Sequence, residues 1–395
     1  MATASTRSDT RLRWLQIVGP FALVGLLVAL FMTFDPVAGL REVPPAEALA
    51  VERTVLQPRR VEIHVRNDGP DPVTIAQVLV NEAYWDYSTT DTTLGRLEAA
   101  TITVAYPWDE GLPLNVSIVT NTGLTFEHEI EAAAETPAFD TQTLLVYALL
   151  GVYIGIIPVA IGILWFPALR RTSRRWLTFF LALTVGLLVF LLVDTIAEGL
   201  ENASATAGAL DGLGLFAIGA LGAAIGLFFL QGLLERRRSE DGPRVGSGLM
   251  LAYLIAAGIG LHNLGEGLAV GAALAAGEIA LGRFLVLGFA LHNTTEGLAI
   301  VAPLGREERR PSLWHFVGLG ALAGGPTVLG AWTGGFAFSP APAALAFGVA
   351  AGAIAQVVWV IGRSMSGREG LTSAMGTGGF VAGLLVMYAT GLLTS

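Results

Sequence analysis

The chain has 395 residues, 53% of them hydrophobic and only 14% charged, with a mean hydropathy of +0.63 and a formal net charge of −9. That composition excludes an ordinary soluble globule and describes a mostly α, multi-pass membrane protein. No basic stretch is interleaved with aromatics, so nucleic acid is not an expected partner, and the lack of cysteine excludes disulfides, thiolate metal sites and cysteine nucleophiles.

In chain order, residues 1–12 read as a short cytoplasmic N-terminus and residues 13–34 as a first membrane span, LQIVGPFALVGLLVALFMTF. A cleaved signal peptide is the competing reading. The apolar run is long for one and no clean A-x-A site follows, which favours an uncleaved anchor. Residues 41–140 change character: they hold most of the acidic residues, and VEIHVRN, DPVTIAQVLVN, TITVAYPW, LNVSIVTNTG and TFEHEIEA alternate between apolar and polar positions. Gly, Pro, Asn and Asp separate these stretches, which predicts a small all-β, sandwich-like domain.

Residues 142–395 predict eight further spans, at about 142–167, 176–199, 209–233, 247–273, 281–303, 313–335, 342–362 and 374–393. Each supplies the roughly 20 residues of helix needed to cross a bilayer. Basic residues gather in TRLR before the first span and in RRTSRR, ERRRSEDGPR, REERR and RSMSGR (residues 170–175, 235–244, 306–310 and 363–368). The alternate loops ENASATAGAL, AAGEIA and FSPAP carry none. The positive-inside rule then places the N-terminus in the cytoplasm and the β domain and C-terminus outside the cell membrane. A faint echo between LTVGLLVFLLVD and GVAAGAIAQVVW hints at internal repeats of the kind transporters use.

The chemistry is concentrated in a motif written twice, HNLGEGLAV at residues 262–270 and HNTTEGLAI at residues 292–300. Ionisable groups inside apolar spans usually line a pathway or hold an ion. Within each copy the His and Glu are four apart and share a helix face. The short connection around Ala275 to Gly282 makes the two helices antiparallel neighbours. Residues at equal depth then have a constant index sum, which sets His262 level with Glu296 and Glu266 level with His292. Two imidazoles and two carboxylates can converge on one point, a good ligand set for a borderline divalent cation such as zinc.

The doubled HNxxEGLA in consecutive spans resembles the ZIP (Zrt/Irt-like) divalent metal transporters, in particular their GufA-like branch. The resemblance covers about residues 142–395 and leaves out the N-terminal anchor and the β domain. It implies an eight-span bundle with both termini outside and the metal site on its fourth and fifth spans, where the motifs fall. It also implies a first metal position at His262, Glu266, His292 and Glu296, and a second using Asn263 and Asn293 with the two glutamates bridging. The implied activity is transport of Zn²⁺, or Fe²⁺ or Mn²⁺, toward the cytoplasm. The cation is substrate, with no prosthetic group, and a homodimer is common among such proteins. The chain departs from the family where many members carry a Glu before a Pro in the sixth span: here LAGGPTVLGAW has Gly325 before Pro326. That leaves the second position short of a carboxylate. The loop ERRRSEDGPRVGSG also lacks the histidines found there in many relatives.

Other residues carry weaker signals. Asp194, Glu198 and Glu201 share one helix face and could form an outer vestibule that concentrates cations, with Asp194 the deepest. Gln356 could line the pathway or bond across helices. Trp314 is an ordinary interfacial anchor, and His315 beside it could help metal leave. In the β domain Glu127 and Glu129 point to one face of a strand and His128 to the other, so one strand cannot focus all three on an ion; His64 belongs to the same domain, whose expected role is contact with an extracytoplasmic partner. Gly267 and Gly297 are read as packing positions. No GxxxxGK[ST] is present, which fits a passive carrier. Two other functions compete: an intramembrane zinc hydrolase, disfavoured because HExxH is absent, and a metal-stabilised signalling or assembly protein that does not transport.

Overall fold

The computed structural model describes residues 5–34, 46–130, 132–241, 247–277, 279–307, 310–365 and 370–392. It divides into two compact units, Met1–Ala46 and Glu47–Ser395. The first holds one helix, α1 (Ser5–Phe34), with Pro20 inside it and an apolar stretch from Val18 to Phe31. It begins before the expected anchor at residue 13. The segment between residues 35 and 45 lies outside the described residues.

The second unit begins with the β domain. Its strands are β1 (Leu49–Gln57), β2 (Arg60–Asn67), β3 (Val73–Val80), β4 (Ala83–Trp85), β5 (Tyr87–Thr89), β6 (Thr93–Leu94), β7 (Ala99–Val104), β8 (Leu114–Thr120) and β9 (Thr125–Ile130). One sheet runs β1-β2-β7-β5 and the other β4-β3-β8-β9, with β6 paired to β3. All pairings are antiparallel. Alternation sets the register: Val61, Ile63 and Val65 pair with Val104, Ile102 and Ala100 on one sheet, and Val78 and Val80 pair with Ile118 and Val116 on the other. These side chains form one buried core between the sheets. The β3–β4 hairpin turns on Asn81 and Glu82 alone, both at positive φ (48° and 65°), the conformation a type I′ turn requires. Strand β1, LAVERTVLQ, lacks strict alternation, and its bulge between Val51 and Arg53 shows why the sequence gives no clear strand signal there.

The rest of the unit is helical. The first bundle span comprises α2 (Thr141–Gly151), a π turn (Val152–Ile156), α3 (Ile157–Ile163) and α4 (Phe166–Arg170). Asp140 caps it, its carboxylate accepting from the Thr143 amide at 2.7 Å, and that bond holds the Asp140 pKa below its ordinary value. There follow α5 (Arg174–Ala205), α6 (Gly212–Asp241), α7 (Ser247–Ala275), α8 (Ile279–Val301), α9 (Leu313–Gly324), α10 (Pro326–Ala337), α11 (Pro340–Ser364) and α12 (Ala374–Gly391). Seven of these spans are long and apolar enough to cross a bilayer, and Ala374–Ala389 in α12 is a shorter apolar helix. The protein is therefore a multi-pass membrane protein with a small antiparallel β domain.

The strongest helix pairings are α7 with α10, α6 with α11, α5 with α12, α5 with α11, and α3 with α8. This set is unchanged when α2–α4 exchange with α9–α10, α5 with α11, α6 with α12, and α7 with α8. The sequence echo joins α5 and α11, which this exchange relates. Glycines bring the paired backbones together. A Cβ on Gly267 would lie 2.1 Å from the Thr327 carbonyl of α10, and one on Gly297 would lie 2.2 Å from the Val159 carbonyl of α3. Both glycines after the glutamates are thus packing positions.

The β domain docks on three connections of the bundle. Asp68 accepts from the Ala209 amide at 2.6 Å, Arg53 donates to the Phe336 carbonyl at the end of α10, and Gly277 in the α7–α8 turn packs against Ala134. A cavity of about 430 Å³ lies beside that turn, lined by Thr54, His128 and Glu129 among others.

Candidate metal centre

Helices α7 and α8 carry the two motifs, and their side chains meet inside the bundle. His262, Glu266 and Glu296 are each 2% exposed and His292 is 7% exposed. One helical turn brings His262 Nε2 to 3.2 Å from Glu266 Oε1. His292 Nε2 reaches the same oxygen from α8, and Asn293 Nδ2 donates to Glu266 Oε2 at 2.8 Å. Ligand atoms of His262, Glu266 and His292 all lie within 4.8 Å of one another, the one such group among the described residues.

The level pairing read from the sequence is therefore half realised. His292 meets Glu266 across the helices, but His262 bonds the glutamate of its own helix and not Glu296. Asn293 anchors the far oxygen of Glu266 from α8 and draws that carboxylate between the two imidazoles. Glu296 has only the Asn263 carboxamide of its neighbour helix near it, outside ordinary hydrogen-bond geometry. Both its oxygens are buried without a hydrogen-bond partner, within electrostatic range of Glu266 and both histidines. A buried carboxylate without donors costs several kcal/mol unless a cation sits beside it.

The two asparagines have a structural task as well. Asn263 Nδ2 donates to the Ala323 carbonyl at 3.1 Å, and Asn293 Nδ2 donates to the Ile154 carbonyl at 3.0 Å. Both acceptors belong to interrupted helices: Ile154 sits in the π turn of the first bundle span, and Ala323 lies next to the α9–α10 break at Gly325 and Pro326. The two interruptions touch, since a Cβ on Gly324 would come within 2.7 Å of the Gly155 carbonyl group. These bonds orient each carboxamide and leave Asn263 Oδ1 and Asn293 Oδ1 buried without partners, as is Thr327 Oγ1. Two imidazoles and one carboxylate thus converge, a donor set suited to a divalent cation, with Glu296 within electrostatic range of them.

Thr195 of α5 bonds His262 Nδ1 at 2.8 Å. It lies 67 positions from its partner and inside a long apolar run, so only the fold reveals it. The acidic face of α5 is also reordered. Asp194 and Glu201 are exposed, whereas Glu198 is half-buried and within electrostatic range of His262 and Glu266. Of the three, Glu198 is thus the one that is partly buried and interacts with the cluster.

Elsewhere, Gln356 is buried and donates to the Gln231 side chain of α6 at 2.9 Å, a bond across helices. Trp314 is exposed, and His315 Nδ1 lies 3.0 Å from the Tyr253 hydroxyl. In the β domain His128 of β9 bonds Thr54 of β1 in the other sheet at 3.1 Å, and His64 of β2 bonds Thr101 of its neighbour β7 at 3.0 Å.

No protein-family profile matches the chain, and no curated protein does. Among solved structures, the archaellum periplasmic stator protein FlaG from Sulfolobus acidocaldarius is similar over 21% of this chain and 98% of its own, at 14% identity and a TM-score of 0.19, too slight a likeness to carry an argument.

Proposed function

We propose that this protein is a ZIP-like carrier that moves divalent cations, zinc first, across the cell membrane toward the cytoplasm. The observation that carries this reading is the buried donor set. His262, Glu266 and His292 converge on one point, and beside them both oxygens of Glu296 and the Oδ1 atoms of Asn263 and Asn293 are buried without partners. Divalent cations satisfy such atoms; solvent does not reach them. Glu266 and Glu296 neutralise the charge, and the histidines supply geometry and selectivity. The asparagine oxygens are neutral donors for a second position, which Gly325 leaves without a further carboxylate.

The proposed orientation puts the β domain and C-terminus outside and the N-terminus in the cytoplasm. It is supported by the docking of the β domain on the α5–α6 and α7–α8 connections and the end of α10. These are the ends whose loops lack Lys and Arg, as outer loops do. Metal then passes Glu198, loses water, binds at the His/Glu cluster and leaves inward as one group of helices rocks against the other.

The test is ⁶⁵Zn²⁺ uptake into proteoliposomes by the wild type, His262→Ala and Glu296→Ala. Saturable uptake lost in both variants supports transport through this centre. Zinc retained by purified protein without uptake points instead to a metal-stabilised assembly protein or a hydrolase.

A further inference from the structure

Thr195 is fully buried on α5, and its hydroxyl oxygen lies 2.7 Å from the Leu191 carbonyl one turn earlier and 2.8 Å from His262 Nδ1. A hydroxyl has one hydrogen to give and two lone pairs with which to accept. A carbonyl can only accept, so the hydroxyl hydrogen goes to Leu191, as threonine commonly does inside a helix. Toward His262 the threonine can then only accept, and Nδ1 must carry a hydrogen. The other ring nitrogen, Nε2, faces Glu266 Oε1 at 3.2 Å; a carboxylate also only accepts, so Nε2 donates there until a cation displaces its hydrogen. Which nitrogen of a histidine is free to ligate is set by the bond the other one makes.

We infer that Thr195 is a positioning residue that accepts from His262 Nδ1–H, holds the ring in place and so keeps Nε2 turned toward Glu266, where a cation would take the place of the Nε2 hydrogen. The inference rests on the proposed metal site for its consequence, though not for its geometry. His292 has a bond at Nε2 and none to Nδ1 among the described residues, so the two histidines are unequal: His262 is held at both ring nitrogens and His292 at one. The bond also ties α5 to the centre, one helical turn from Glu198. A cation held by His262 is thus linked to a third helix besides the two that carry the motifs.

The experiment compares full-length wild type with Thr195→Val and Thr195→Ala, which lack the hydroxyl, and Thr195→Ser, which keeps it. The chain has five histidines, so ¹⁵N-histidine labelling gives a tractable spectrum, with His262 assigned by its loss in His262→Ala. In metal-free protein, wild type and Thr195→Ser are expected to show a hydrogen-bonded Nδ1–H at His262, and the other two variants to lose that bond. Zinc affinity, measured by equilibrium dialysis, should fall about 10–100-fold in Thr195→Val and Thr195→Ala and recover in Thr195→Ser. A wild type without a bonded Nδ1–H at His262, or an Nδ1–H signal unchanged in both hydroxyl-less variants, overturns the inference. If wild type shows the bonded Nδ1–H but binds no zinc, the metal-site reading falls and the Thr195 assignment stands.

Discussion

The side chain of Asn293 on α8 reaches into the π turn of the first bundle span and donates to the Ile154 carbonyl at 3.0 Å, while its neighbour in the exchanged half, Asn263, does the same for Ala323 at 3.1 Å. The repeated motif is thus bonded to both interrupted helices. A π turn or a proline break frees carbonyls that have no partner in the apolar interior, and such freed groups must be re-satisfied from elsewhere. The asparagines donate to carbonyls at both interruptions while their own oxygens stay buried without partners.

Asn263→Asp and Asn293→Asp replace that amide donor with an acceptor facing a carbonyl. Each is expected to destabilise the protein by about 1–3 kcal/mol, the cost of an unsatisfied buried pair. Thermal unfolding in detergent measures this, and an unchanged midpoint in both variants would show that these bonds do not hold the interruptions.

Glu266 receives both histidines and Asn293, whereas Glu296 has only the Asn263 carboxamide near it, outside ordinary hydrogen-bond geometry. Glu266→Gln is therefore expected to disturb the arrangement of the centre as well as its charge, and Glu296→Gln mainly its charge. Equilibrium dialysis with zinc should show weaker binding in both, with the larger loss in Glu266→Gln; equal loss would mean that the hub contributes nothing beyond charge.

Gly267→Ala places a Cβ 2.1 Å from the Thr327 carbonyl, whereas Gly222→Ala on α6 meets nothing within 4 Å. The first should cost about 1–3 kcal/mol through overpacking. The second should be neutral or stabilising by up to about 1 kcal/mol, since alanine favours the helix. Parallel melting curves decide, and similar behaviour of the two would contradict the tight α7–α10 contact.

Glu198 faces the cluster and Asp194 does not. Zinc uptake at subsaturating metal should fall more in Glu198→Gln than in Asp194→Asn. The reverse order would restore Asp194 as the inner residue of the vestibule.

In the β domain, burial holds the His128 pKa below its ordinary value, and burial together with the Arg53 charge does the same for His64. Both therefore bind protons more readily when unfolded. Their neutral forms leave stability unaffected above the unfolded pKa of about 6.5, and stability is lost as pH falls from there through the lower folded values. Hydrogen exchange of β9, corrected for intrinsic rates, should show protection declining over that range, and less so in His128→Gln. A pH-independent protection would refute it.

Much of this architecture is legible in the residues alone. Hydropathy and length mark the spans, because a bilayer demands about 20 apolar helical residues of each. Period-two alternation marks β2, β3, β7 and β8, because one face of each meets the sandwich core. The i, i+4 spacing puts His262 and Glu266 together, because helical geometry is local. What joins distant segments is not legible in this way. Thr195 finds His262 across 67 positions, Asn263 finds Ala323 across 60, and Asn293 finds Ile154 across 139. Those bonds depend on which helices pack and at what rotation, and the π turn and the facing of Glu198 follow from the same packing. The sequence by itself determined the elements and the donor types; only the tertiary structure decided which donor meets which, because helix rotation and pairing are set by side-chain contacts among all the spans together.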